Sequence, residues 1–366
     1  MSTRLFTSTL TVAASALLLA VPVFAQAPAA SKSSAPKAAA VKSSSAIPRL
    51  PDGHPDLSGV YSNVTSVPMQ RPANCGSKEF YTAEDIANGL GGARGCGGNA
   101  PAARGGRGGG GGRGGRGANI DPETGQPALA VHYDTAQFGL SGNTIVRSTS
   151  MRTSIITGPE GKLPPTTPEE QERAKARREF NAVHQWDGPE TRPLGERCIT
   201  WPSEGPPMLS EGYNSDIQLV QGDNYVGVLQ EMIHDFRMIP TANNNAPARL
   251  PSDVHQWFGS SRGHWEGDKL VVETTNYTDK TQVQNTPISN MLKVTEKFSR
   301  IDADHLLYEF TVDDPATWTK PWSGEVVWEK IDSPIYEYAC HEGNYGMANN
   351  LSGERAVEAK AAAEKK

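Results

Sequence analysis

Past Phe24 the sequence has no apolar run near the ~20 residues that span a bilayer, so no membrane-spanning helix is expected in the mature chain. Aromatics are few, at 7%, and 37 Gly and 27 Pro among 366 residues exclude a long helical bundle. Cysteine is rare too. Its four copies include no Cys-x-x-Cys pair, which removes the usual spacing of a structural zinc site. Gly-x-Ser-x-Gly, a phosphate-binding loop and His-Glu-x-x-His are all missing. No cofactor or metal is expected, and no motif names a reaction.

What is present begins with an export signal. Arg4 precedes an apolar run from Leu5 to Phe24, and Val23-Phe24-Ala25 places a cleavage position after Ala25. Pro22 interrupts the run and no charged stop-transfer segment follows, so residues 1–25 read as a signal peptide rather than an anchor. The expected destination is periplasmic or secreted, in a Gram-negative bacterium. Residues 26–46, mostly Ala, Ser, Lys and Pro, read as a disordered tether, and 356–366 as a disordered tail. A single β-rich domain is expected between them, at 47–355. In an oxidising compartment Cys75, Cys96, Cys198 and Cys340 allow three pairings. A local Cys75–Cys96 bridge with a long-range Cys198–Cys340 bridge is favoured.

The formal charge is −6; without Arg4 and the five arginines between Asp85 and Asp121, the remainder carries −12. An acidic folded part argues against a polyanion as the main partner. Those arginines (Arg94, Arg104, Arg107, Arg113 and Arg116) sit in a Gly-rich tract at 89–118. Arg-Gly-Gly repeats bind RNA in some intracellular proteins. With no aromatic residue in the tract and an exported chain, the expectation is a flexible insertion and no nucleic-acid partner.

One helix is predicted over about 168–186, capped by Thr167, with Pro168 at its first position and Glu170 placed for a capping box. Its thin stripe of Ala174, Ala176, Phe180 and Val183 predicts a surface helix. From Ser215 the pattern turns to hairpins. Gly222-Asp223-Asn224 separates 217–221 from a long strand at 225–239, and Glu266-Gly267-Asp268 separates 261–265 from 270–277. Asp302-Ala303-Asp304 separates 293–301 from 306–312, and Asp332-Ser333-Pro334 separates 324–331 from 335–340. Earlier strands are placed at 128–131 and 144–156. The predicted fold is mainly β: an antiparallel meander closed into a barrel or strongly curved sandwich, calycin-like, which would remove exposed edges.

Several blocks carry a resemblance. They are Pro51-Asp52-Gly53-His54-Pro55-Asp56-Leu57-Ser58-Gly59-Val60-Tyr61, Arg192-Pro193-Leu194-Gly195-Glu196-Arg197-Cys198, Gln256-Trp257-Phe258-Gly259 running through Gly267-Asp268, Leu270 to Tyr277, Thr311 to Pro315, and Tyr336 to Tyr345. The chain resembles a family of uncharacterised exported bacterial proteins, many from acidobacteria and proteobacteria. The likeness covers about 190–355 almost continuously, plus the opening motif. The family usually has Arg where this chain has His264, and Trp where it has Tyr61. The resemblance implies export and one domain, and brings no activity with it.

Strand parity sharpens the chemistry. Along an unbroken strand, Leu229, Glu231, Ile233, Asp235, Arg237 and Ile239 share one face, and Gln230, Met232, His234, Phe236 and Met238 the other. On a surface the first face is an ion-pair ladder worth little. Inside a barrel it is a ligand anchor in which Arg237 needs an acid, Asp235 being nearest in the strand and Glu342 reachable only from a neighbour. His234 reads as a hydrogen-bonded core residue; with His255, His264 and His341 it makes no pair of metal-ligating spacing. In Cys340-His341-Glu342-Gly343-Asn344 neighbours point to opposite faces, a poor dyad geometry, but His341, Glu342 and Asn344 remain rim groups. Among Trp257, Trp265, Trp318, Trp322 and Trp328 most should be core and one or two should line a pocket.

Three functions follow. The first is binding of a small, partly apolar ligand by Glu231, Arg237, Trp257, Trp265 and Asn344. The second is a hydrolase or lyase on a carbohydrate or ester, with Glu231 or Glu342 as acid/base and His234 or His341 as partner. The third is a structural envelope protein.

Overall fold

The computed structural model describes residues 46–88, 90–91, 95–97, 150–210, 214–241 and 250–365. The expected signal peptide, the tether up to residue 45, most of the Gly/Arg tract and the strand expected at 128–131 lie outside the described residues.

The described strands, in chain order, are β1 (Gly59–Ser62), β2 (Asp216–Gln221), β3 (Tyr225–Gln230), β4 (Phe236–Pro240), β5 (Ser260–Glu266), β6 (Lys269–Thr275), β7 (Gln282–Val283), β8 (Thr286–Pro287), β9 (Lys293–Arg300), β10 (His305–Asp313) and β11 (Trp322–Ile331). The helices are α1 (Ala83–Ala87), α2 (Pro168–His184) and α3 (Tyr345–Glu364). Nine strands form one antiparallel sheet in the order β4-β3-β2-β1-β11-β10-β9-β6-β5, while β7 and β8 pair separately.

Strict alternation builds the core. Val294, Glu296, Phe298 and Arg300 of β9 are buried, as are Leu306, Tyr308, Phe310 and Val312 of β10, and Trp322, Val326 and Trp328 of β11. Period-2 spacing turns these side chains to one face. There the Tyr308 and Trp328 rings stack at 4.8 Å, and Phe298 meets Trp328 edge-on at 5.9 Å. The β5–β6 hairpin turns at Gly267, whose φ of 60° suits a residue without Cβ. At its tip Asp268 accepts two hydrogen bonds from Arg49, at 2.6 and 2.8 Å, and Trp265 stacks on His54 at 4.4 Å. Two blocks far apart in sequence, the opening motif and this hairpin, thus meet directly.

Three of the four expected hairpins form. The fourth does not: the side of β11 that residues 335–340 were expected to occupy is taken by β1, with Tyr61 opposite Lys330 and Ser62 opposite Glu329. Residues 335–340 form no strand. Of the strand expected at 144–156, the described part makes only isolated bridges, Arg152 with Phe80 and Ile156 with Gly324. Helix α2 starts as expected, Thr167 Oγ1 accepting from the Glu170 amide at 3.1 Å, and exposes Phe180 and Val183. The buried Glu170 carboxylate pairs with Arg173 and Arg177 rather than reaching back to the cap. Residues 356–364, expected to be unstructured, continue α3 instead. Their Ala, Glu and Lys residues are strong helix formers, and Asn344 caps the helix by accepting from the Met347 amide at 3.3 Å.

The two edge strands, β4 and β5, lie side by side. Arg237 of β4 donates to Ser261 Oγ of β5 at 3.3 Å, and a Cβ on Gly263 would stand 3.2 Å from Ile239. No backbone ladder joins them among the described residues, so the sheet is antiparallel with two unpaired edges, and hydrogen-bonded closure into a barrel is not found. Side chains, not backbone groups, fill the seam. Among the described residues no helix is long and apolar enough to cross a membrane.

Both favoured disulfides are present, with Cα–Cα distances of 4.8 Å for Cys75–Cys96 and 5.7 Å for Cys198–Cys340. They close sequence separations of 21 and 142 residues. On chain entropy the short loop stabilises by about 3 kcal/mol and the long one by about 5 kcal/mol. Urea melts should therefore show a larger loss for Cys198→Ser/Cys340→Ser than for Cys75→Ser/Cys96→Ser. Equal losses would contradict the loop-length argument.

Candidate functional site

The site is built where β3 turns into β4. The sequence reads as one strand from 225 to 239, but β3 ends at Gln230 and β4 begins at Phe236. Between them Ile233 (φ 58°) and His234 (φ 51°) take left-handed conformations, unusual for a β-branched residue and a mark of a tightly held corner. The corner resets the parity. Val226, Val228 and Gln230 point inward from β3, Arg237 and Ile239 point inward from β4, and Glu231 leaves the shared face.

Arg237 needs a partner once buried, and it finds Glu296 of β9. Nη1 and Nη2 donate to the two carboxylate oxygens at 2.6 and 2.8 Å, and Glu296 is 0% exposed. Tyr308 donates to Glu296 Oε1 at 2.9 Å and accepts from the Met208 amide at 3.0 Å. Burial holds the Tyr308 and Tyr277 phenols well above their ordinary pKa, so both remain neutral. Ser261 passes the network on to Thr274 at 2.9 Å.

Above this network lies a cleft of about 790 Å³ at the β4–β5 seam. Phe236, Arg237, Met238 and Pro240 line it from β4, and Ser260, Ser261 and Arg262 from β5. The segment 255–258 adds His255, Gln256, Trp257 and Phe258, and Lys280 stands at the far side. Gly259 (φ 66°) lets this segment turn against β6: a Cβ there would stand 2.5 Å from the Thr275 carbonyl oxygen. Gly205 is similarly required, because the Phe258 ring would lie 2.3 Å from its Cβ. Two guanidinium atoms at the cleft, Arg237 Nε and Arg262 Nη1, are buried without a hydrogen-bond partner among the described residues.

Asp235 also lines the cleft, and behind it stands Glu204, only 1% exposed. Glu204 Oε2 accepts from the Trp201 amide at 2.8 Å and from Thr200 Oγ1 at 3.3 Å. Its side chain stands against that of Asp235, and Glu204 Oε1 and Asp235 Oδ2 are both buried with no hydrogen-bond partner among the described residues. Burial, first of all, raises both carboxyls above the ordinary carboxylate range; the like charge of the neighbour adds to the rise at Glu204. The Cys198–Cys340 bridge ties together two segments of this arrangement. It fixes the segment leading to Glu204, and the segment before Cys340 supplies the Tyr338 carbonyl that meets His234 Nδ1 at 2.9 Å.

Of the residues expected to form a site, Arg237 and Trp257 line this cleft. Glu231 does not: it is buried at the corner, accepting from Asn214 Nδ2 at 3.1 Å and from the Asp216 amide at 3.4 Å. Trp265 sits on His54 at the hairpin tip, and Asn344 is a helix cap whose Nδ2 donates to the Glu196 carbonyl at 2.8 Å. His234 is exposed and turned to Tyr338; His341 and Glu342 are exposed before α3. No hydrogen bond joins Glu231 or Glu342 to either histidine among the described residues. Nor do these residues hold a cluster of three or more potential metal ligands. Sequence reasoning missed Glu296, Glu204 and Arg262. Glu296 had a signal, an acid at an inward position of a cleanly alternating strand, whereas Glu204 in Trp201-Pro202-Ser203-Glu204-Gly205-Pro206 had none. Comparison with known proteins finds no family model that matches the chain and no match among the curated proteins.

Arg237→Ala should leave the Glu296 carboxylate buried and unpaired, lowering stability by about 3–5 kcal/mol in a urea melt. Arg237→Met combined with Glu296→Gln should lose less than Arg237→Ala alone, because no charge is stranded. A loss under about 1 kcal/mol for Arg237→Ala is what an exposed pair would give and would contradict this burial.

A second expectation concerns pH. Glu204 keeps its proton in the folded chain at pH values where the unfolded chain loses it, so its stabilisation is complete below the ordinary carboxylate range, about pH 4, and fades as pH rises through its raised folded value. Stability should thus fall between pH 5 and alkaline pH, and Glu204→Gln, which cannot ionise, should flatten that fall. Urea melts across the range check this; an unchanged slope in Glu204→Gln would count against the buried proton.

Proposed function

We propose that this chain is an exported protein that binds a small, partly apolar anion in the β4–β5 cleft, the mouth of a sheet closed like a barrel by side chains. The observation that carries the reading is Arg262 Nη1, a buried cationic donor at the cleft with no hydrogen-bond partner among the described residues. Leaving such a group unsatisfied is costly, and a ligand carboxylate or similar anion would satisfy it. Lys280 and His255 stand on the same cleft, while Trp257, Phe258 and Phe236 offer ring faces for an apolar body. A cleft with this cationic lining is notable in a chain of net charge −6. Export to the periplasm or beyond is supported by the N-terminal pattern, the two disulfides and the resemblance to an exported family. A hydrolase built on the Glu/His pairs has less support, because those residues stand apart from the cleft. The segments that would carry a structural envelope role lie outside the described residues.

Titration with benzoate, followed by tryptophan fluorescence, tests the reading. Benzoate should perturb the signal saturably, benzyl alcohol should not, and Arg262→Gln should weaken binding by about tenfold or more, the worth of a charge-assisted hydrogen bond. No saturation at millimolar benzoate, or equal binding of the alcohol, would refute an anion site.

A further inference from the structure

We propose that the cleft hydrolyses an acyl bond of such an anion, with Asp235 as general base and Glu204 as the residue that positions it and shares its proton. The proposal rests on the ligand reading above. Glu204 Oε1 and Asp235 Oδ2 are both buried with no hydrogen-bond donor among the described residues, and the two side chains stand against each other. Two buried carboxyls so placed, with no donor for either oxygen, hold one proton between them. Glu204 is pinned through its other oxygen by the Trp201 amide and Thr200, so it is the fixed member, and Asp235 faces the cleft. Arg237, more than nine-tenths buried, lines the same cleft with its Nε unpartnered among the described residues, a second sign that a polar ligand completes the site.

The geometry selects the reaction. Glycoside cleavage by two carboxyls needs them roughly 5–9.5 Å apart, to flank the scissile bond. Two neighbouring carboxyls sharing one proton are instead the arrangement that activates water against a carbonyl carbon. Burial raises both groups, which keeps the shared proton in place near neutral pH, with His234 the nearby group that favours Asp235 ionised. In the step itself a water O–H bond breaks, its proton passes to Asp235, and its oxygen bonds the acyl carbon. The carbonyl electron pair moves onto oxygen, where Arg237 Nε–H, without a partner among the described residues, can stabilise it while Arg262 holds the substrate's carboxylate. As that pair returns, the carbon–oxygen bond to the leaving alcohol breaks and the alcohol takes a proton from the pair, which is left with one, as before. The products are a carboxylic acid, which ionises to solvent, and an alcohol.

The test uses the mature chain with para-acetoxybenzoate, and phenyl acetate as the uncharged control. Para-acetoxybenzoate should turn over above the buffer rate and faster than phenyl acetate. Asp235→Asn should lower kcat by at least about 100-fold while benzoate still binds. Wild-type kcat should rise with pH as Asp235 ionises and fall again as Glu204 does; Glu204→Gln should keep the rise and lose the fall. That profile also decides the matter if Asp235→Asn does not fold. Hydrolysis no faster than buffer, full activity in Asp235→Asn, or an unchanged profile in Glu204→Gln overturns the proposal. Benzoate binding without turnover removes the hydrolysis alone, and absence of both removes the binding reading as well.

Discussion

A guanidinium cannot stay charged in an apolar interior without a carboxylate, and that constraint sits at the centre of this protein. Arg237 lies on one edge strand, its partner Glu296 on β9, and its further contact Ser261 on the other edge strand. The pair therefore reaches across the two ends of a nine-stranded sheet whose edge strands share no backbone ladder among the described residues. Tyr308 donates to Glu296 and is held in turn by the Met208 amide, so each member of the pair has a further partner, while Arg237 Nε has none among the described residues. Replacing it with apolar residues could leave stability intact, as buried pairs often do. What it supplies here is a fixed polar seam.

That seam has a chemical consequence. A backbone ladder between β4 and β5 would have consumed their donors and acceptors and left a smooth wall. Side-chain bridging instead leaves room for a cleft whose floor is the ion pair and whose walls carry Arg262, Asp235 and the rings of Trp257 and Phe258. The left-handed corner at Ile233 and His234 matters for the same reason. Without it Arg237 and Glu231 would share a face. With it, Glu231 secures the corner, and Asp235 is free to meet Glu204. The disulfide between Cys198 and Cys340 holds both segments that bring these acids together, which gives the cross-link a role in the cleft as well as in stability.

Much of the fold was legible. Turn residues at Gly222-Asp223-Asn224, Gly267-Asp268 and Asp302-Ala303-Asp304 marked three hairpins because φ and hydrogen-bonding demands there are local. The Thr167-Pro168 start of α2 was legible for the same reason. The fourth hairpin failed because strand neighbours are chosen by competition, and β1, some 270 residues earlier in the chain, took the place beside β11. The site was legible only in part. Arg237 and Trp257 were found from residue type, but Glu231, Trp265 and Asn344 owe their polar or aromatic character to a corner, a stacking contact and a helix cap.

Sequence alone determined the strand-rich architecture, the surface helix, the pairing preference of the cysteines and the need for an acid beside any buried Arg237. Each of these depends on interactions within a few residues, or on a cost that any burial imposes. Tertiary structure alone decided that the acid is Glu296, that the sheet edges meet through side chains, and that Glu204 stands behind Asp235. Those partners are separated by 59 and 31 positions along the chain, and a carboxyl's protonation depends on what surrounds it in space, which no local pattern of residues records.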